Sequence, residues 1–202
     1  MELRVSALCM SDIEPRPEGP EAEEITILLQ RAVTGDVSAF EQIILRHERR
    51  VLSIAWRLLG RIEDAQDAAQ EVFLRVFRYL HRFDTRKSFE PWLVRMTVNV
   101  CRDLGSKRLR QPAVELKPDQ LRATGDPHSE LNAEEQRHML HTALSELPEK
   151  ERSAIVLRDI EGFSTADVAE ILGSSEATVR VQISSARIKI KKAVERIKRG
   201  RR

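Results

Sequence analysis

Arg180, Ser184, Arg187 and Lys191 stand at i, i+4, i+7 and i+11, so a helix carries all four along one side. Guanidinium, ammonium and hydroxyl groups in one row suit a polyanion, because each donates to phosphate oxygens or base edges. A second set lies upstream. Trp92, Arg95, Asn99, Arg102 and Ser106 share a helical face, and Lys107, Arg108 and Arg110 extend its charge. Cationic and amide groups beside an aromatic can track a single-strand backbone and stack or read an unpaired base. Trp92 by itself fits a half-buried core position better. The third set is acidic. Asp64, Asp67, Gln70 and Glu71 cluster over two helical turns. Acids there complement the helix dipole, which is reason enough for their presence; facing outward, they also suit a basic partner. No nucleophile–base constellation, metal-ligand cluster or phosphate-cradling glycine loop is visible, so recognition without catalysis or cofactor is expected.

Helices must position these sets. Ser164 can cap a short helix, with Asp167 three residues on in capping-box spacing, and Gly173 fits a left-handed stop. Ser174 or Ser175 then caps a long helix, whose Val179, Ile183, Ala186, Ile190 and Val194 face a core. A short helix, a tight turn and a long helix with one apolar and one basic stripe make a helix-turn-helix. Upstream, Ile25, Leu28, Leu29, Ala32 and Val33 form a stripe beginning near Glu23 and ending at Gly35. Asp36 or Ser38 restarts the helix, which runs to Gly60. A third helix spans about Glu63 to Leu80, with Ala65, Ala68, Ala69, Val72, Phe73, Val76 and Phe77 inward. Ser88 can cap a fourth, with Phe89, Leu93, Met96, Val100 and Leu104 buried. Helix resumes near Glu130 and again after Pro148.

No strand pattern appears, so the expected fold is all-α: two small helical domains joined by a flexible linker, the C-terminal one containing the helix-turn-helix. Residues 1–22 read as a flexible acidic leader, 23–110 as the first domain, 111–129 as a proline-punctuated linker, 130–195 as the second domain and 196–202 as a basic tail. The net charge of +2 conceals an asymmetry. Residues 1–30 hold seven acids and two bases, whereas 180–202 hold ten bases and one acid, so the C-terminal end suits nucleic acid. Two distant cysteines, Cys9 and Cys101, suit a reduced cytoplasmic protein, and no run is long enough for membrane insertion.

The order and spacing of four stretches carry a resemblance: DVSAFEQIILRHERRVLSIAWRLLG (36–60), EDAQDAAQEVFLRVFR (63–78), SFEPWLVRMTVNVCRDLGSKRLR (88–110) and the run from 144 to 192 that contains LRDIEGFSTADVAEILGSSEATVR. The chain resembles the extracytoplasmic-function group of bacterial sigma factors, the small two-domain initiation subunits of RNA polymerase. The resemblance implies a first domain like sigma region 2, with Asp64, Asp67, Gln70 and Glu71 docking on the clamp helices of the polymerase largest subunit. It implies that Phe83, Arg86, Lys87, Trp92, Arg95, Asn99 and Arg102 melt and hold the promoter −10 element. It implies a second domain like region 4, bound near the polymerase flap, in which Arg180, Gln182, Ser184, Arg187 and Lys191 meet the −35 element. An anti-sigma factor is a further implied partner, able to hold the protein near the membrane. Gln182 and Ser185 stand where the family often has a basic residue; Gln pairs with adenine where Arg favours guanine, which points to a different −35 sequence. The rival reading is an autonomous helix-turn-helix regulator, which leaves the acidic helix and the 88–110 helix without a task. A helical adaptor that binds no DNA is the other, and the one-sided basic row speaks against it.

Overall fold

The computed structural model describes residues 20–84, 87–108 and 139–200. The expected linker 111–129, the helix start near Glu130, Arg86 and most of the expected leader lie outside the described residues. Among those described there are helices and short connections and no strand. In chain order they are α1 (Pro20–Val33), α2 (Val37–Leu59), α3 (Ile62–Tyr79), a 3₁₀ turn (Leu80–Arg82), α4 (Phe89–Arg108), α5 (139–145), α6 (Glu149–Ile155), a π turn (Val156–Ile160), α7 (Thr165–Leu172) and α8 (Glu176–Gly200). No described helix is long and apolar enough to cross a membrane.

The described residues form two compact units: 20–56 with 63–84 and 87–108, and 57–62 with 139–200. In the first, Asp36 rather than Ser38 starts α2, accepting a 3.1 Å bond from the Ala39 N–H. That bond and the Arg31 guanidinium hold the Asp36 carboxyl below its usual range. Gly35 supplies the positive φ (+95°) that lets the chain reverse between α1 and α2. Ile43, Val51, Ile54, Ala65, Ala68, Val72, Val76, Leu93, Val98 and Val100 are fully or almost fully buried and form the core. Arg50 reaches from α2 to Glu90 on α4, and both side chains are largely buried. Removing Arg50 takes its partner from a buried Glu90 carboxylate, at a cost of about 3 kcal/mol. Arg75 of α3 binds Glu71 at 2.7 Å and Asp103 of α4 at 3.1 Å. Cys101 is buried, which pushes its thiol up to about 12 and keeps it protonated.

The inward stripes need four corrections. Phe77 is 60% exposed, because the buried line of α3 runs through Val72 and Val76 and carries Phe77 to the side, edge-on to Phe40 at 5.1 Å. Val33 is exposed at the end of α1, and α4 buries Val94, Val98 and Cys101 more deeply than Met96 or Leu104. On α8 it is Ala193 rather than Val194 that is buried.

In the second unit, α8 packs on α6 and α7. Ser164 and Asp167 form the capping box: the Asp167 N–H donates to Ser164 Oγ and the Ser164 N–H to Asp167 Oδ2, both at 3.1 Å. Gly173, at φ +61°, closes α7 in the left-handed conformation. Ser175, not Ser174, caps α8, its Oγ accepting from the Thr178 N–H at 3.2 Å. The π turn widens the backbone, with the Glu161 N–H donating to the Val156 carbonyl at 2.9 Å. Val156, Leu157, Ile160 and Phe163 are all buried there. Arg152 ties down the preceding turn, donating to the Ser145 and Leu147 carbonyls at 3.0 and 2.9 Å.

Candidate nucleic-acid interface

The basic row of α8 is outward-facing, as its spacing requires. Arg180, Ser184, Arg187 and Lys191 are all exposed. Two of them have acidic partners. Arg180 binds Glu176 one turn back at 2.6 Å, with the Arg side chain 65% exposed. Arg187 grips Asp159 of the π turn side-on, through Nε at 2.8 Å and Nη2 at 2.7 Å. Those bonds raise the Arg187 pKa above its ordinary value. Lys189 and the Ser185 hydroxyl both donate to Glu151 Oε1, at 2.7 and 3.1 Å. Gln182 is half-buried, and its Oε1 is buried with no hydrogen-bond partner among the described residues. Asp159 and Glu151 went unnoticed in the sequence because they lie 28 and 34 residues before the groups they bind.

In the first unit three aromatic rings converge where the 3₁₀ turn meets α4. Phe83, Phe89 and Trp92 have centroids 4.9–5.7 Å apart in tilted and edge-on arrangements. Phe83 and Phe89 are buried; Trp92 is half-buried, so part of its ring remains accessible. His47 of α2 packs on Phe89 with centroids 5.4 Å apart. Burial, then the neighbouring Arg50 and Arg46, push the imidazole pKa down to about 4, so it is neutral at pH 7. Its position in α2, far along the chain from the aromatics, hid it from sequence reasoning. Beyond the rings, Arg95 and Asn99 are exposed and Arg102 is half-buried along α4. Lys87 is exposed, its N–H donating to the Asp84 carbonyl at 2.9 Å; Arg86 lies outside the described residues. The arrangement is an aromatic floor with cations and an amide along one edge, which can stack a base and hold a backbone.

The acidic set opens α3. Asp67 and Gln70 are exposed, Asp64 and Glu71 half-buried. Glu71 is held by Arg75 at 2.7 Å. Leu74 and Phe77, each 60% exposed, continue the line of Asp67 and Gln70 at helical spacing. That outer face of α3 is therefore acidic at its start and apolar at its end.

Comparison with known proteins adds the family context. The family described as Sigma-70 region 2 matches residues 43–111, and that described as Sigma-70, region 4 matches residues 137–190. The chain is 31% identical over 186 residues to an "ECF RNA polymerase sigma-E factor" of Haemophilus influenzae, a span of 86% of this chain and 98% of that one. It is 37% identical over 161 residues to the "ECF RNA polymerase sigma factor SigE" of Mycolicibacterium smegmatis, covering 76% of this chain and 62% of that one. Among solved structures it is similar to CnrH in complex with the cytosolic domain of CnrY, with a TM-score of 0.64, 27% identity and coverage of 85% and 97%.

Proposed function

The chain belongs to the extracytoplasmic-function RNA polymerase sigma factors, proteins that direct promoter-specific transcription initiation, and we propose how it divides that task between its two helical domains. The N-terminal domain, residues 23–110, meets the polymerase and the −10 element; residues 111–129 link it to the −35 reader, residues 130–195. The observation that carries this reading is the pairing of one outward acidic helix, inside the region 2 match, with one outward basic helix that begins inside the region 4 match.

On the polymerase side, Asp64, Asp67, Gln70 and Glu71 dock on basic clamp helices. The Glu71–Arg75 pair is partly exposed and exchanges partners at little cost. On the −10 side, Phe83 and Phe89 form a rigid floor and Trp92 presents the accessible ring on which an unstacked base is caught. Lys87, Arg95, Asn99 and Arg102 hold the strand that leaves the duplex. Base capture offsets an unstacking cost of a few kcal/mol. Arg86 joins this set by its place in the loop.

On the −35 side, Arg180 gives up its exposed bond to Glu176 for a base edge or phosphate. Arg187 keeps Asp159, which is only 10% exposed, and offers its remaining Nη1 edge to phosphate. Lys191 meets phosphate and Ser184 a base edge or phosphate. Gln182 reaches DNA only if its half-buried amide turns outward. The polymerase performs nucleotidyl transfer, and this subunit supplies address and melting. The solved CnrH is held by the cytosolic domain of CnrY; by analogy an anti-sigma factor covers these surfaces here, in the cytoplasm and near the membrane.

Reconstitution with bacterial core polymerase tests the division. Changing Asp64, Asp67 and Glu71 together to Lys abolishes core binding while helical content, followed by circular dichroism, stays the same. Unchanged core affinity would reject the docking assignment.

A further inference from the structure

The outermost line of α8 is not its basic row. Val179, Ile183, Ala186, Ile190 and Ala193 are buried and fix the inward direction. At about 100° per residue, Ala177, Val181 and Ile188 then fall within about 20° of the opposite pole. Val181 is 69% and Ile188 55% exposed, and Ala177 is exposed too. Arg180, Arg187 and Lys191 lie on one flank of this line, Lys189 and Lys192 on the other. An apolar crest between two cationic flanks matches the cross-section of a DNA major groove. Phosphates form its two walls, and the thymine 5-methyl is the apolar group on its floor. Residues near the N-terminus of a recognition helix reach base edges, and Val181 lies in the second turn of α8.

We propose that Val181 is a specificity-determining residue that reads a thymine methyl in the −35 element, with the cations on either side of it holding the two phosphate walls. This inference rests on the assignment of α8 as the −35 reader. Ala177 leaves room for the base pair to approach, and Ile188, two turns on, extends the apolar crest. A branched apolar side chain at this pole gains nothing from packing within the domain. It lowers helix propensity slightly relative to Ala, so Val181→Ala keeps the helix.

The test uses holoenzyme, assembled from the full chain and core polymerase, on a promoter that it selects from a pooled library. Each −35 thymine is replaced in turn by deoxyuridine, which removes only the methyl. For the unaltered protein, one such replacement weakens binding about three- to fivefold, the effect of one buried methyl. Val181→Ala loses a similar factor on thymine DNA and shows no further loss with uracil at that position. Its dependence on salt stays parallel to that of the unaltered protein, because no phosphate contact is lost. Selection of a promoter with no uracil effect at any −35 position would overturn the inference while leaving the sigma assignment standing. So would a uracil penalty that persists in Val181→Ala, or a variant that loses core affinity alone. Failure of the holoenzyme to select any promoter would overturn the −35 assignment and this inference together.

Discussion

His47 and Asn99 show how much a single side chain can be asked to do. His47 sits against Phe89, under the aromatic floor, with its pKa near 4 against 6.5 for the free residue. Between those values the unfolded chain binds a proton that the folded chain refuses. Stability from this group is therefore complete above pH 6.5 and falls as the pH drops toward 4, by on the order of 2–3 kcal/mol. Urea midpoints measured from about pH 7 to about pH 4.5 should decline more steeply for the unaltered protein than for His47→Gln. Parallel declines would place the acid sensitivity elsewhere. The proposal assigns Asn99 and Arg180 to different steps. Arg180→Ala should weaken binding to a −35 duplex, by about 1–3 kcal/mol if it meets a base. Asn99→Ala should leave that binding intact and slow opening of the −10 segment, read by permanganate reactivity of unpaired thymines. Equal loss of both steps in both variants would contradict the division. The types and spacing of these two residues made them visible in the sequence. His47 was not visible, because its environment is made by α4, more than 40 positions further along the chain.

Within an element, local signals are legible in the sequence and long-range ones are not. The Ser164–Asp167 box and the Gly173 stop depend on backbone geometry within a few residues, and the structure has both. Ser164→Ala should cost the C-terminal domain about 1 kcal/mol, seen as a lowered thermal midpoint. Gly173→Ala meets no steric contact but must hold φ +61°, and should cost about 1 kcal/mol or more. No change in either variant would mean that neither the cap nor the left-handed stop contributes to the stability of the domain. The π turn left no trace in the periodicity, since an apolar run reads alike in α and π backbones. Periodicity alone points Phe77 inward, because a stripe of seven residues cannot say where the neighbouring helix ends. Its exposure beside Leu74 gives α3 an apolar end that composition did not suggest. Asp159 changes the meaning of Arg187 more than any spacing could, making it a tie between α8 and the π turn that leaves only one edge for phosphate.

For the whole molecule, the proposed division gives the first domain both the polymerase and the −10 DNA, and gives the base-rich end of the sequence the −35 DNA. The all-α class and the two sigma regions were legible because helical stripes and their order survive in a single sequence. The chemistry of the surfaces was legible only in part, because ion pairs formed across elements decide which cations remain available. Transcript initiation on a pooled promoter library, by core polymerase with and without this chain, tests the account most directly. The account predicts new starts that share one −35 and one −10 motif and that vanish when Asp64, Asp67 and Glu71 are all Lys. An unselected set of starts identical to that of core alone, with tight duplex binding by the chain by itself, would contradict it and favour an autonomous helix-turn-helix regulator.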